Sequence, residues 1–266
     1  MLLANKIAVV YGAYGSLGST VATALALAGA KVYLTGRDIA KLQIVADKIF
    51  EEGGNAEVAI VDALDELVVE DNFNEIFTKE GKVDISFNAI GSEIKMNVPL
   101  VTMSVEEFVG PITSTMQTRF ITAGVAGRAM MKQGSGVILT LTATPGGIGY
   151  PYTGGFAAAC AAVENFSRNL AIELGIYGVR VVNIRSGGSP DSSVFKNAIE
   201  IDPANMAGVI KSMENDTMLK KLPMMNDIAN TAVFLASELA GNITGTTIDV
   251  TGGTTAGLNY RASNSL

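Results

Sequence analysis

Short runs of apolar and β-branched residues alternate along the chain with longer stretches whose apolar positions recur every three to four residues. The short runs fall at 6–12 (KIAVVYG), 31–36 (KVYLTG), 56–62 (AEVAIVD), 83–90 (VDISFNAI), 136–142 (GVILTLT), 179–185 (VRVVNIR) and 245–250 (GTTIDV). They are apolar at odd and even positions alike, the pattern of strands covered on both faces. The stretches between them read as helices. In one, Ala162, Val163, Phe166, Leu170 and Leu174 share a face. Alternating strands and helices predict an α/β fold, a parallel sheet with helices wound on both sides. No Pro- or Ser-rich linker, composition break or repeat interrupts the 266 residues, so one domain over 1–266 is expected.

Composition narrows the chemistry. Hydrophobic residues make up 48% and charged ones 17%, enough apolar side chain for a sizeable core. A net charge of -7 speaks against a nucleic-acid or anionic-membrane partner, which would need concentrated Lys and Arg. No apolar run is free of charges for long enough to span a bilayer. Cys160 is the one cysteine, which fits a reducing compartment, and the start MLLANKIAVV has no secretory pattern. A cytoplasmic location is expected. There is no histidine, which removes the commonest general base, the usual serine-hydrolase triad and most zinc sites. No metal site is expected.

The first strand leads through YGAYGSLG into an Ala/Leu-rich helix. Gly12, Gly15 and Gly18 surround that turn, with Tyr14, Ser16 and Leu17 between them. Glycines let backbone approach a phosphate closely, and the helix behind them offers free N–H groups. In a strand–turn–helix context such a cluster predicts a dinucleotide cradle. The second strand ends in TGRD. Gly36 stands where a carboxylate would read a free ribose diol, and Arg37 after it is suited to a 2′-phosphate. NADP(H) is therefore favoured over NAD(H).

These features together resemble the short-chain dehydrogenase/reductase family, over nearly the whole chain. The family's TGxxxGxG is met loosely by YGAYGSLG, with Gly12 and Gly18 matching. Asp62, followed by Ala63, matches the adenine-binding aspartate. DISFNAIG matches DILVNNAG at Asn88 and Gly91, with Ala89 replacing the second asparagine. The closing segment NDIANTAVFLASELAGNITGTTIDVTGG is also very similar. The resemblance implies a Rossmann-type, doubly wound parallel sheet of seven strands in the order 3-2-1-4-5-6-7, with the cofactor across the strands' carboxyl ends.

It also implies a proton machinery that the residues do not supply. Family members use a tyrosine as acid–base, a lysine beside it, a substrate-binding serine and an asparagine that supports a water relay. The gap-free VENFSRNLAIEL register puts Phe156 at the tyrosine position and Cys160 at the lysine position. Thirteen residues before Phe156 lies Ala143, at the serine position; Thr115, counted from the aligned Phe120, is at the asparagine position. Phenylalanine has no proton to give, alanine has no hydroxyl, and a thiol is ordinarily neutral at pH 7. Tyr152, four residues before Phe156, is the candidate replacement acid, with Tyr14 and Tyr150 as other phenols near the cleft.

Other positions stay open at this level. After the sixth strand, Ser186 and Gly187 replace a family Pro-Gly pair; Gly187 is placed at the nicotinamide pocket. Arg185 either binds an anionic substrate group or pairs with an acid. Glu93 and Lys95 follow the fourth strand near the expected cleft, where a surface role weighs against proton transfer. Segment 191–225, which holds five methionines, corresponds by resemblance to the substrate lid. The resemblance also implies a homodimer or homotetramer, joined through the long helices at 104–132 and 152–176. Three functions follow: an NADP-dependent oxidoreductase of non-standard mechanism on an undetermined small molecule; a catalytically silent nucleotide-binding regulatory or partner subunit; or a non-redox cyclase, lyase or isomerase on the same scaffold.

Overall fold

In the computed structural model, residues 1–257 are described. Seven strands, β1 (Ile7–Tyr11), β2 (Lys31–Gly36), β3 (Asn55–Ile60), β4 (Ile85–Asn88), β5 (Gly136–Ala143), β6 (Val179–Ser186) and β7 (Thr246–Val250), form a single sheet. Its order is β3-β2-β1-β4-β5-β6-β7. Every pairing is parallel, as the alternation of strands and helices requires. Each predicted run overlaps its strand, with ends differing by at most two residues; β3, β5 and β6 each extend one residue beyond their runs, at Asn55, Ala143 and Ser186. In the fourth run only the centre, Ile85–Asn88, pairs, two residues short at each end.

The period of two along a strand divides the core. On β1, Ala8 and Val10 face the cluster formed with Val21 and Leu25 of α1 (Ser16–Leu27) and Ile228 and Leu235 of α8 (Met225–Ala236). Ile7, Val9 and Tyr11 face the other cluster, with Phe73 of α3 (Glu66–Glu80), Met130 of α4 (Val105–Gln133) and Leu174 of α5 (Gly155–Gly175). All five β1 residues are buried, as expected of a central strand. The edge strands depart from the expectation of full cover. Asn55 and Ile60 of β3 and Thr246 and Asp249 of β7 are exposed, because an outermost strand has a neighbour on one side only.

Helix ends are set locally. Asp38 accepts from Lys41 N to cap α2 (Ile39–Glu51), and Asp65 accepts from Leu67 N and Val68 N to cap α3. Ser104 and Glu107 form a reciprocal capping box at the start of α4. Helix α1 differs: Gly15 precedes it and offers no side-chain cap, so its first N–H groups are left to an outside acceptor. Two further helices, α6 (Ser193–Ile201) and α7 (Pro203–Asp216), occupy the 191–225 segment. Among the described residues, no helix is long and apolar enough to cross a membrane.

Candidate active site

A cleft of about 950 Å³ lies along the carboxyl ends of β1 to β4. Four loops and the first half of α4 build its walls: the turn after β1, the ends of β2 and β3, and the segment from Ala89 to Lys95. Two glycines make the β1 turn possible. Gly12 has φ +73°, and a Cβ on Gly18 would stand 2.2 Å from Gly12 O. A side chain at either would open the turn that aims α1 at the cleft.

At the end of β2 the packing decides which residue fits. A Cβ on Gly36 would stand 2.6 Å from Cε1 of the Tyr14 ring. Tyr14 thus occupies the space into which a carboxylate at position 36 would have to extend. Arg37 is exposed and lines the cleft, and no carboxylate pairs with it among the described residues. Asp38 instead pairs with Lys41 at 3.1 Å, and the Lys41 ammonium sits 5.6 Å from the Tyr14 ring centroid.

The predicted cofactor residues separate into two groups. Gly12, Tyr14, Gly15, Arg37, Asp62, Ala63, Ala89 and Gly91 line the cleft. Ser16, Leu17, Gly18, Asn88 and Gly187 do not, and each has a structural contact instead. Asn88 is buried; its Nδ2 donates to Thr118 O and Thr122 Oγ1, and its Oδ1 accepts from Ile90 N, fixing the loop after β4 against α4. Leu17 packs on the first core cluster. Gly187 N donates to Val250 O, and a Cβ there would press on Pro223. Ser16 Oγ accepts from Ser193 N at 2.9 Å and hydrogen-bonds Ser193 Oγ at 2.7 Å, tying the glycine turn to the first residue of α6.

Of the four positions singled out for proton transfer, Thr115 reaches the cleft wall, where its hydroxyl shares a 2.6 Å hydrogen bond with Ser92. Ala143 ends β5 and Phe156 is partly buried in the first turn of α5. Cys160 is 4% exposed, and burial pushes its thiol up to about 11.

Tyr152 is not placed as a spacing of one helical turn from Phe156 would have it. Helix α5 begins only at Gly155, after Gly154 at φ +54°. Gly155 itself is wedged against α4, where an added Cβ would lie 2.0 Å from Phe108 O. Tyr152 sits in the loop before, at φ +60°; it is 54% exposed, lies off the cleft wall and accepts Asn97 N through its carbonyl. Tyr150 is partly buried, and burial raises its phenol. Tyr14 alone of the three phenols lines the cleft.

Arg185 proves to be an ion-pairing residue. Its guanidinium donates from Nε and Nη2 to both oxygens of Glu164, at 2.9 and 2.5 Å, and from Nη1 to Asp249 at 2.8 Å. These bonds, above all those to Glu164, raise its already high pKa. Thr142 Oγ1 donates to Glu164 as well, and Asn183 donates to Thr142, extending the polar network beneath the sheet edge. The packing is close: a Cβ on Gly147 would fall 2.4 Å from the guanidinium carbon. Lys95 is likewise engaged, pairing with Glu107, while Glu93 is exposed on the cleft rim.

Two buried charges escaped the sequence reading. Glu164 is 7% exposed and Arg119 is 5% exposed. Both fall on the inward stripe of their helices, Arg119 with Thr122, Ala126 and Met130, and Glu164 with Cys160, Ser167 and Ala171. That placement, a charge at the period of the buried positions, was the available signal.

The cleft's place and construction are matched by known proteins. A family model described as Enoyl-(Acyl carrier protein) reductase matches residues 12–255. The 3-oxoacyl-[acyl-carrier-protein] reductase FabG of Escherichia coli is 31% identical over 249 residues, covering 94% of this chain and 97% of the relative. The chain belongs to the short-chain dehydrogenase/reductase family. Levodione reductase of Leifsonia aquatica, another relative, is 29% identical over 255 residues, 95% of each chain. A crystal structure of levodione reductase superposes with a TM-score of 0.87 at 26% identity, over 96% of this chain and 99% of that one. A gluconate 5-dehydrogenase from Burkholderia cenocepacia, solved with NADP and tartrate, shares the fold at a TM-score of 0.85 and 23% identity, covering 96% and 97%. The short-chain dehydrogenase/reductase fold thus accounts for the sheet order and for the cleft's position at the strands' carboxyl ends.

Proposed function

We propose that this chain is an atypical oxidoreductase that binds NADP(H) in preference to NAD(H) and works without the Tyr/Lys proton machinery of its family. The observation that carries the cofactor reading is the end of β2, where Tyr14 fills the space of a ribose-reading carboxylate and Arg37 stands free on the cleft wall. The glycine turn fits the group on the same grounds: Gly12 and Gly18 permit close backbone approach, and α1 begins without a side-chain cap. Gly12, Tyr14 and Gly15 would hold the phosphates, Arg37 the 2′-phosphate, and Asp62 and Ala63 the adenine. The nicotinamide, when bound, supplies hydride transfer.

The chain's own residues supply little acid–base help at the family positions. Phe156 and Ala143 carry no titratable group, and the Cys160 thiol stays protonated at neutral pH. Loss of such help slows a reaction by about 10²–10⁴-fold. Reduction of an activated C=C bond, or of a carbonyl protonated by water, tolerates that loss best. Thr115 and Ser92 are the hydroxyls left on the inner wall to orient a substrate oxygen or a water.

Titration of the protein with NADPH and NADH, followed by NADPH oxidation against carbonyl and enone panels, tests the proposal. Tighter binding of NADPH and turnover of enones supports it. Failure to bind either dinucleotide overturns it. A second reading, a silent nucleotide-binding partner subunit, is favoured by the sealed, neutral Cys160; it is supported by NADPH binding without oxidation of any panel member.

The wider assignment follows the same line. The chain acts as one dinucleotide-binding domain, with α6 and α7 as the lid over its substrate. Phe120 and Ile172, 62% and 71% exposed on α4 and α5, provide the apolar face of a homodimer or homotetramer. Its place is the cytoplasm.

A further inference from the structure

Arg37 and Arg119 both line the cleft, but among the described residues Arg119 is the buried arginine of the pair, and its charge is unanswered. It is 5% exposed, yet no carboxylate among the described residues pairs with it. Its Nη1 donates to Thr118 Oγ1 at 3.2 Å, and its Nε has no partner. The one ionisable side chain that acts on it is the Cys160 thiol, which is neutral. Burial lowers its pKa to about 10, so it remains a cation at pH 7.

The other buried or half-buried arginines show what this chain does when an arginine serves structure. Arg185 holds Glu164 and Asp249, and Arg180 donates to the carbonyls of Leu235, Ile243 and Ser237. A buried guanidinium without such partners is costly and calls for an anion that arrives from outside. The surroundings suit one. Thr115 and Ser92, hydrogen-bonded to each other, line the cleft with Arg119, whose guanidinium is a planar fork that matches a carboxylate. The acids on the same wall stand elsewhere: Glu107 is held by Lys95, and Glu93 and Glu106 are exposed.

We infer that Arg119 is the anion-recognition residue of the substrate site, and that the substrate carries a carboxylate which Arg119 binds with help from the Thr115 and Ser92 hydroxyls. This rests on the reading of the cleft as a dinucleotide and substrate site. It deepens that reading by naming the substrate class.

Two separate titrations test it. NADPH binding is followed by its fluorescence, and binding of a panel of small carboxylates, pyruvate among them, by calorimetry with and without NADPH. Wild type is expected to bind at least one carboxylate. Arg119→Met should weaken that binding about tenfold or more while leaving NADPH affinity nearly unchanged. Arg119→Lys should retain part of it, and Thr115→Val, which keeps the cation, should weaken it less. Should Arg119→Met not fold, the Lys and Val variants carry the comparison, and carboxylate affinity unaltered in both overturns the inference. So does equal affinity in wild type and Arg119→Met, absence of carboxylate binding throughout the panel, or a loss that falls on NADPH, which would assign Arg119 to a cofactor phosphate. If NADPH fails to bind at all, the proposed cofactor falls, while the titration of the free protein still decides this inference.

Discussion

The ring of Tyr14 lies against Gly36 so closely that a Cβ at position 36 would come within 2.6 Å of Cε1 and 2.9 Å of Cδ1. A residue of the glycine turn thereby dictates what the end of β2 can carry. Gly36→Asp, intended to create a diol-reading carboxylate, should displace Tyr14 and lower the melting temperature. It should fail to produce tight NADH binding unless Tyr14 is also shortened, as in Tyr14→Ala. Fluorescence titration of the single and double variants with NADH checks this.

Arg37 is predicted to contribute through charge alone. Arg37→Ala should weaken NADPH about tenfold and leave NADH within about twofold, a difference that shrinks at high salt because the site is exposed. Equal losses for both dinucleotides would remove the 2′-phosphate from the assignment.

Glu164 and Arg185 are a buried pair, 7% and 12% exposed at the side chain. Glu164→Ala should destabilise the fold by about 3 kcal/mol, since it strands a guanidinium that Asp249 answers only in part. Glu164→Leu with Arg185→Met should be milder than either single change. Chemical denaturation of wild type, Glu164→Ala, the two single variants and the double measures it.

Cys160 should be inert in the native state. With a thiol pushed up to about 11 by burial, it lacks thiolate at neutral pH and lacks access as well. Iodoacetamide at pH 7.5 should leave the folded protein unmodified and label it once in denaturant, read by mass spectrometry.

Lys31 ties the edge of the sheet to α3, at 2.8 Å from Glu57 and 2.6 Å from Glu80. Hydrogen bonds from Lys31 are the main cause that holds both carboxyls below their ordinary value of 4.5. A depressed folded pKa means that the stabilisation is complete above the ordinary value and is lost as pH falls below it through the folded ones. Glu80→Gln should therefore lower the melting temperature at pH 7 and flatten its decline on acidification below 4.5.

The fold was legible because apolar runs and helical periods are local signals. All seven strands matched their predicted segments to within two residues at either end, and the sheet order followed from the family resemblance. The site was legible only where backbone conformation dictates residue type. Gly12 at positive φ and Gly18 against Gly12 O are forced choices, and the sequence marked both as members of the glycine turn. Tyr152 was misplaced because the helix start is set by Gly155 wedged against Phe108 O, a contact between residues far apart in sequence. Ser16 was read as part of the cofactor cradle, and its hydroxyl also meets Ser193, 177 positions away, a contact that no local signal announces. Arg119 and Glu164 were passed over because charges are ordinarily exposed; their position on the inward stripe outweighs that habit.

The nearness of Arg119 to Cys160 constrains any attempt to rebuild a proton relay here. A lysine engineered at 160 would put an ammonium beside a guanidinium, with the one neighbouring acid, Glu164, already spoken for by Arg185. Repulsion would favour the uncharged amine, so the grafted group would arrive without the charge for which it was chosen. Building a Tyr/Lys relay here thus demands a coordinated exchange on α4 and α5, and each single step toward it leaves the pocket with one cation too many or none.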